Sequence, residues 1–222
     1  MSDYEYVTVH DSAVTNTNPN SLVPVTLDTS EPPICPNMSD AEFRKKVLTL
    51  RDEALKSVEL RIDEVASWNA AAQSRAVQWL GNSDEATRLK LSNGLRALLG
   101  VMKGLTAHNI VRVDSEQDRA TGCVPGRKNL TGQVAHVCAP DTATHTIAIN
   151  DGFCDLPPTS LSRLSSMQLT IVHECCHFID TFGSRDYPDG YGYTSCKWLA
   201  RDHPERAITN ADSIAWYVLA RY

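Results

Sequence analysis

The chain has 222 residues, 42% of them hydrophobic, and a formal charge of −6 at pH 7. A chain of this size buries a sizeable core, which excludes wholesale disorder and fits one or two globular domains. The acidic balance supplies no basic stripe to neutralise phosphates, and no apolar run reaches the roughly 18 residues of a membrane helix, so neither a nucleic-acid nor a membrane partner is expected.

Residues 1–38 are rich in Thr, Asn, Ser and Pro. Pro24, Pro32, Pro33 and Pro36 work against a helix, so an extended N-terminal arm is expected, with a short strand over Tyr4 to Val9. This end shows neither the charged nor the apolar region of an export signal. At Ser39 the pattern changes. Ser39 and Glu42 have capping-box spacing, and Phe43, Val47, Leu50, Ala54, Val58 and Ile62 recur at helical intervals, which predicts a long helix to about Trp68. A second helical stretch ends at Leu80, where Gly81-Asn82 break it. Ser83 is the expected cap of a third helix, which runs through Leu91, Leu95, Leu98 and Leu99 towards Leu105.

Beyond Asn109 the apolar period shortens to two. Ile110 to Val113, Val134 to Val137 and Thr144 to Ile149 read as strands of one small antiparallel sheet. Leu161 to Phe178 and Thr209 to Tyr222 read as helices again. The expected fold class is α+β, with helices packed around that sheet.

Seven cysteines, at 35, 123, 138, 154, 175, 176 and 196, include no CxxC pair. Disulfide bridges, and with them a secreted or extracellular working place, are the better expectation. The odd count leaves at least one thiol free or paired between chains.

His173-Glu174-Cys175-Cys176-His177 is an HExxH sequence inside one of the helical segments. On a helix, residues four apart stand one above the other, so both imidazoles can reach one zinc ion. Glu174 is offset by about 100°, near enough to take a proton from water without ligating the metal. Chance would place such a pentapeptide in roughly one chain in a hundred of this composition. The bland alternative is a helix with two histidines satisfied by ordinary partners.

A catalytic zinc needs a third protein ligand. The pattern HExxHxxGxxH is excluded, because Asp180 and Gly183 stand where it requires Gly and His. Glu205 lies in a loop-like stretch, Asp180 would crowd the histidines, Cys176 reads as a buried thiol, and His145 and His203 read as ordinary strand and surface histidines. Asp180 stays open as an alternative ligand.

There remain Gly183-Ser-Arg-Asp186, Tyr191-Gly-Tyr193 and Asn210-Ala-Asp212, with the strand and loop from Thr146 to Pro157 leading into the HExxH segment. In these residues, from about 107 to 222, the chain resembles the deuterolysin or aspzincin family of zinc metalloendopeptidases, most of all its peptidyl-Lys branch. The resemblance implies a zincin-like domain over 39–222, helical over 39–106 and carrying the sheet and catalytic part over 107–222. It implies one Zn2+ on His173, His177 and Asp186, the last standing nine residues after His177. It also implies Glu174 as general base, and protein or peptide substrates lying antiparallel to the Thr144 to Ile149 strand.

A family tyrosine is thought to hydrogen-bond the developing oxyanion. Two extra residues within Pro188 to Gly190 separate Asp186 from Tyr191, so Tyr191 is the candidate and Tyr193 the substitute. Ser184 replaces the family's Thr and keeps a hydroxyl for substrate binding. Asp212 either caps the last helix or lines the pocket for the residue after the scissile bond. In the second role it would favour Lys or Arg, without strictness, because Ala215 stands where the peptidyl-Lys enzymes carry Glu. A bridge between Cys123 and Cys138, closing a short loop, agrees with the family's stapled hairpin. Two competing expectations are a non-enzymatic binding protein that keeps the fold, against which the intact His, Glu and Asp argue, and a delivered protease toxin with a cognate inhibitor or immunity protein.

Overall fold

The computed structural model describes residues 32–123, 132–160 and 163–220. The expected strand from Tyr4 to Val9 lies outside the described residues. The end of the expected arm is already part of the core: Ile34 and Cys35 are buried, and Cys35 is joined to Cys154 by a disulfide.

Helix α1 (Asp40–Ser67) starts with the expected capping box, in which the Ser39 side chain accepts from the Glu42 N–H and the Glu42 carboxylate accepts from the Ser39 N–H. Helix α2 (Ala70–Leu80) ends at Gly81, whose φ of 80° and 2.1 Å gap between a notional Cβ and the Ala200 carbonyl oxygen both demand glycine. Helix α3 (Glu85–Gly104) is capped by Asp84 and not by Ser83, the Asp84 carboxylate accepting from the Thr87 N–H at 2.8 Å.

Strands β1 (Ile110–Arg112), β2 (Ala135–Val137) and β3 (Ile147–Ile149) form a sheet of order β1-β3-β2. The sheet is mixed, not antiparallel as expected: β2 runs antiparallel to β3, but β1 pairs parallel to it, Ile110 opposite Ile147. The connection from β1 to β3 contains helix α4 (Glu116–Ala120) and β2, which is long enough to bring the chain back in the same direction. Because β3 is central and paired on both sides, it cannot be the edge on which a substrate strand was expected to lie. Its expected first half is a turn. The Asp141 carboxylate accepts from the Thr144 N–H, the Thr144 hydroxyl and the Thr146 N–H, and His145 takes a φ of 47°.

The rest of the fold is helical: α5 (Asp151–Cys154), α6 (Met167–His177), α7 (Tyr193–Asp202), α8 (Pro204–Ala207) and α9 (Ala211–Leu219). Nine of the 11 residues of α6 are buried, so this helix has no wet face and runs through the middle of the apolar cluster with α1, α9 and the sheet around it. Helices α4, α5, α7 and α8 were not expected. Cys123 and Cys138 form the expected disulfide, while Cys175, Cys176 and Cys196 are buried thiols.

Candidate metal centre

The HExxH pentapeptide occupies the last five residues of α6. At Phe178 the backbone leaves the helix, and the following residues satisfy the carbonyls that its end leaves open. The Thr181 hydroxyl donates to the Cys175 and Phe178 carbonyls, and the Ser184 N–H and hydroxyl both donate to the Cys176 carbonyl. Gly183, at φ 54°, lets the chain reverse there. One residue on, Arg185 forms a parallel bridge with Asn210 at the start of α9. Asp186 is therefore held between the end of α6 and the start of α9, and its carboxylate returns to the two histidines.

Three ligand atoms then face one another. His173 Nε2 and His177 Nε2 are 3.1 Å apart, and Asp186 Oδ1 lies 3.2 Å from the first and 3.4 Å from the second. Ligand bonds of about 2.0–2.1 Å at tetrahedral angles put neighbouring donors about 3.3 Å apart, so the spacing suits a zinc ion. The far ring nitrogens are committed elsewhere: His173 Nδ1 to Asp212 Oδ1 at 2.9 Å, and His177 Nδ1 to the Ser184 carbonyl at 3.0 Å. Donation through both Nδ1 atoms leaves both Nε2 lone pairs aimed at the cluster, as metal ligation requires. Among the described residues these three are the group of His, Cys, Asp or Glu able to hold a metal ion.

The charges agree. Burial alone would lower the His173 pKa, but Asp186, Asp212 and Glu174 outweigh it and hold it well above the usual histidine value. His177 is raised against burial in the same way, by Asp186 and Glu174. Burial works against ionised Asp186, yet the two histidines drive its carboxyl well below the usual range. A site that draws protons onto two imidazoles draws a divalent cation in competition with them. Burial raises Glu174, against the opposing pull of His173 and His177.

Of the two candidate tyrosines, the structure brings Tyr191 to the cluster, its half-exposed ring stacked on His173 at 6.0 Å between centroids. Burial and the nearby Asp186 raise its phenol, which keeps it protonated. Tyr193 is elsewhere, packed edge-on between Trp79 and Trp216 and covered by Lys197. The inserted residues before Tyr191 are fastened down, with Asp189 paired to Arg206. Asp180 also lies outside the cluster and pairs with His145 at 2.9 Å. Ser184 and Asp212 sit behind the histidines, only 7% and 6% exposed. Asp212 is no helix cap: Asn210 is the N-cap of α9, without a side-chain cap bond. The bonds of Asp212 and Ser184 to the histidine rings were not foreseen, because a partner 39 residues from His173 leaves no local pattern.

Two histidines of an HExxH helix and an aspartate converging on an α+β scaffold make the ligand set that a zinc metallopeptidase requires. Residues 65–219 match the aspzincin family, described as lysine-specific metallo-endopeptidase, and the chain belongs to that family. A solved structure described as a zinc peptidase from Grifola frondosa is 19% identical. It superposes with a TM-score of 0.61 over 80% of this chain and 94% of that one, a likeness of fold. No curated protein matches.

Proposed function

We propose that the chain cleaves internal peptide bonds of proteins with zinc held by His173, His177 and Asp186, Glu174 as general base and Tyr191 as oxyanion donor. The observation that carries this reading is the convergence of three ligand atoms from α6 and the following loop. Zinc bound there would supply Lewis acidity to water and to the peptide carbonyl. Glu174 takes the proton of the attacking water, and burial, by favouring its neutral form, helps it hold that proton until the leaving amine needs it. Tyr191 donates a hydrogen bond to the carbonyl oxygen as charge develops there. The Asp186 side chain, 43% exposed, marks the side from which an extended polypeptide reaches the site.

The proposal extends to a preference, short of strict specificity, for Lys or Arg after the scissile bond. It rests on the family description, since Asp212 is buried and both its oxygens are bonded within the protein. One peptidase domain over 39–222 is supported by the main apolar cluster, whose buried residues run from Ile34 to Val218. Two disulfides support work outside the cell.

The test is incubation with a denatured proteome, with zinc and with a chelator, followed by sequencing of new termini. Cleavage should need zinc and show Lys or Arg enriched after the cut. No new termini from the zinc-loaded protein would end the endopeptidase reading; termini without basic enrichment would end the preference alone.

A further inference from the structure

Asp212, in the first turn of α9, has both carboxylate oxygens in use. Oδ1 accepts from His173 Nδ1 at 2.9 Å, and Oδ2 accepts from the Gly192 N–H at 2.6 Å. Gly192 directly follows Tyr191. On the other side of that tyrosine, the Gly190 carbonyl accepts from Asn210 Nδ2 at 2.8 Å and from the Cys196 thiol at 3.1 Å. A Cβ on Gly190 would lie 2.9 Å from both amide atoms of Asn210, so backbone and side chain are in close contact there. The loop carrying Tyr191 is thus strapped at both ends to groups from α7 and the start of α9.

We infer that Asp212 is a positioning residue, one carboxylate that aligns the zinc ligand His173 and the Tyr191 loop together; this rests on the endopeptidase reading above. Its bond to Nδ1 fixes the tautomer and the ring plane, so Nε2 keeps its lone pair towards the metal and gains basicity. Its bond to Gly192 sets where the Tyr191 ring stacks on His173. With both oxygens bound and the side chain buried, Asp212 offers little access to a substrate lysine. Zinc affinity and oxyanion stabilisation therefore depend on the same side chain, whatever residue the substrate presents.

The full chain carrying Asp212→Asn is compared with wild type in two measurements. Titration of zinc against a chromophoric chelator should show affinity lower by about 10- to 100-fold. At saturating zinc, peptides with Lys, Arg, Ala or Leu after the scissile bond should all lose kcat by a similar factor, with KM nearly unchanged. Unchanged zinc affinity with a loss confined to the Lys and Arg peptides would overturn the inference and make Asp212 a pocket residue. If the wild type cleaves none of the peptides, the endopeptidase reading fails, and the zinc titration still decides whether Asp212 supports His173. Asn210→Ala, which cuts the strap on Gly190 and the bond to the Ser213 hydroxyl but spares the Asp212 bond to His173, should lower kcat and leave zinc affinity alone; an equal loss of zinc affinity would count against the division of roles. Should Asp212→Asn not fold, the His173 Nδ1 proton in the zinc-loaded wild type decides by NMR. A protected, downfield signal supports the bond, and a rapidly exchanging one overturns it.

Discussion

Replacing Gly94 by Ala should destabilise the protein by about 1–2 kcal/mol, whereas the same change at Gly100, on the same helix α3, should stabilise it by about 0.5–1 kcal/mol. Ala is the better helix former by about 1 kcal/mol at either position. At Gly100 a new Cβ meets nothing within 4 Å, so the gain is kept. At Gly94 it would lie 2.2, 2.4 and 2.5 Å from Cε1, Cδ1 and Cζ of Phe182, and the ring has to leave its seat. Overpacking of this kind costs about 1–3 kcal/mol, and the partly buried ring loses some apolar contact besides, which together exceed the helical gain. Phe182 lies directly before Gly183, where the chain turns back towards Asp186, so zinc affinity should also fall in the Gly94 variant alone. Urea denaturation at saturating zinc reads the stabilities, and the chelator titration reads the metal. Equal stabilisation by both substitutions would refute the reasoning, as would a destabilised Gly94→Ala protein that binds zinc like the wild type.

Glu174→Gln should retain zinc and fold while turnover falls by about 10²–10⁴, because the carboxylate acts on water and makes no metal bond; metal analysis beside a peptide assay checks both halves. Tyr191→Phe should lower kcat by about 10- to 1000-fold with little change in KM, and Tyr193→Phe should leave kcat near wild type, because Tyr193 is packed against Trp79 and Trp216. In the chain-entropy estimate, the bridge Cys35–Cys154, spanning 119 residues, contributes about 5 kcal/mol, and Cys123–Cys138, spanning 15, about 3 kcal/mol. Paired Cys→Ser variants in urea should rank in that order, and peptide mapping without reductant should find both bridges.

Local signals in the sequence carried far where the physics is local. The Ser39 and Glu42 capping box starts α1 where the spacing predicts, and Gly81 ends α2. HExxH falls on a helix for the same reason: its apolar neighbours Leu169, Ile171 and Val172 are buried on that helix. The mixed sheet was not legible, because three-residue strands carry a period but no partner. Nor was α7, whose buried apolar residues are only Cys196, Leu199 and Ala200 among charged neighbours. Strand β3 is shorter than the apolar alternation predicts because Asp141 captures the backbone of Thr144 and Thr146 before the ladder begins. At the site, the convergence of His173, His177 and Asp186 followed from spacing and resemblance. The bonds of Asp212 and Ser184 to the histidine rings depend on where α9 and the turn after α6 come to rest, which is a property of packing.

Zinc content of purified wild-type, His177→Ala, Asp186→Ala and Asp180→Ala proteins measures most directly which side chains hold the metal. The predicted result is one zinc per chain in the wild type and in Asp180→Ala, with losses equally severe in Asp186→Ala and His177→Ala. A fully loaded Asp186→Ala protein beside an empty Asp180→Ala protein would contradict it.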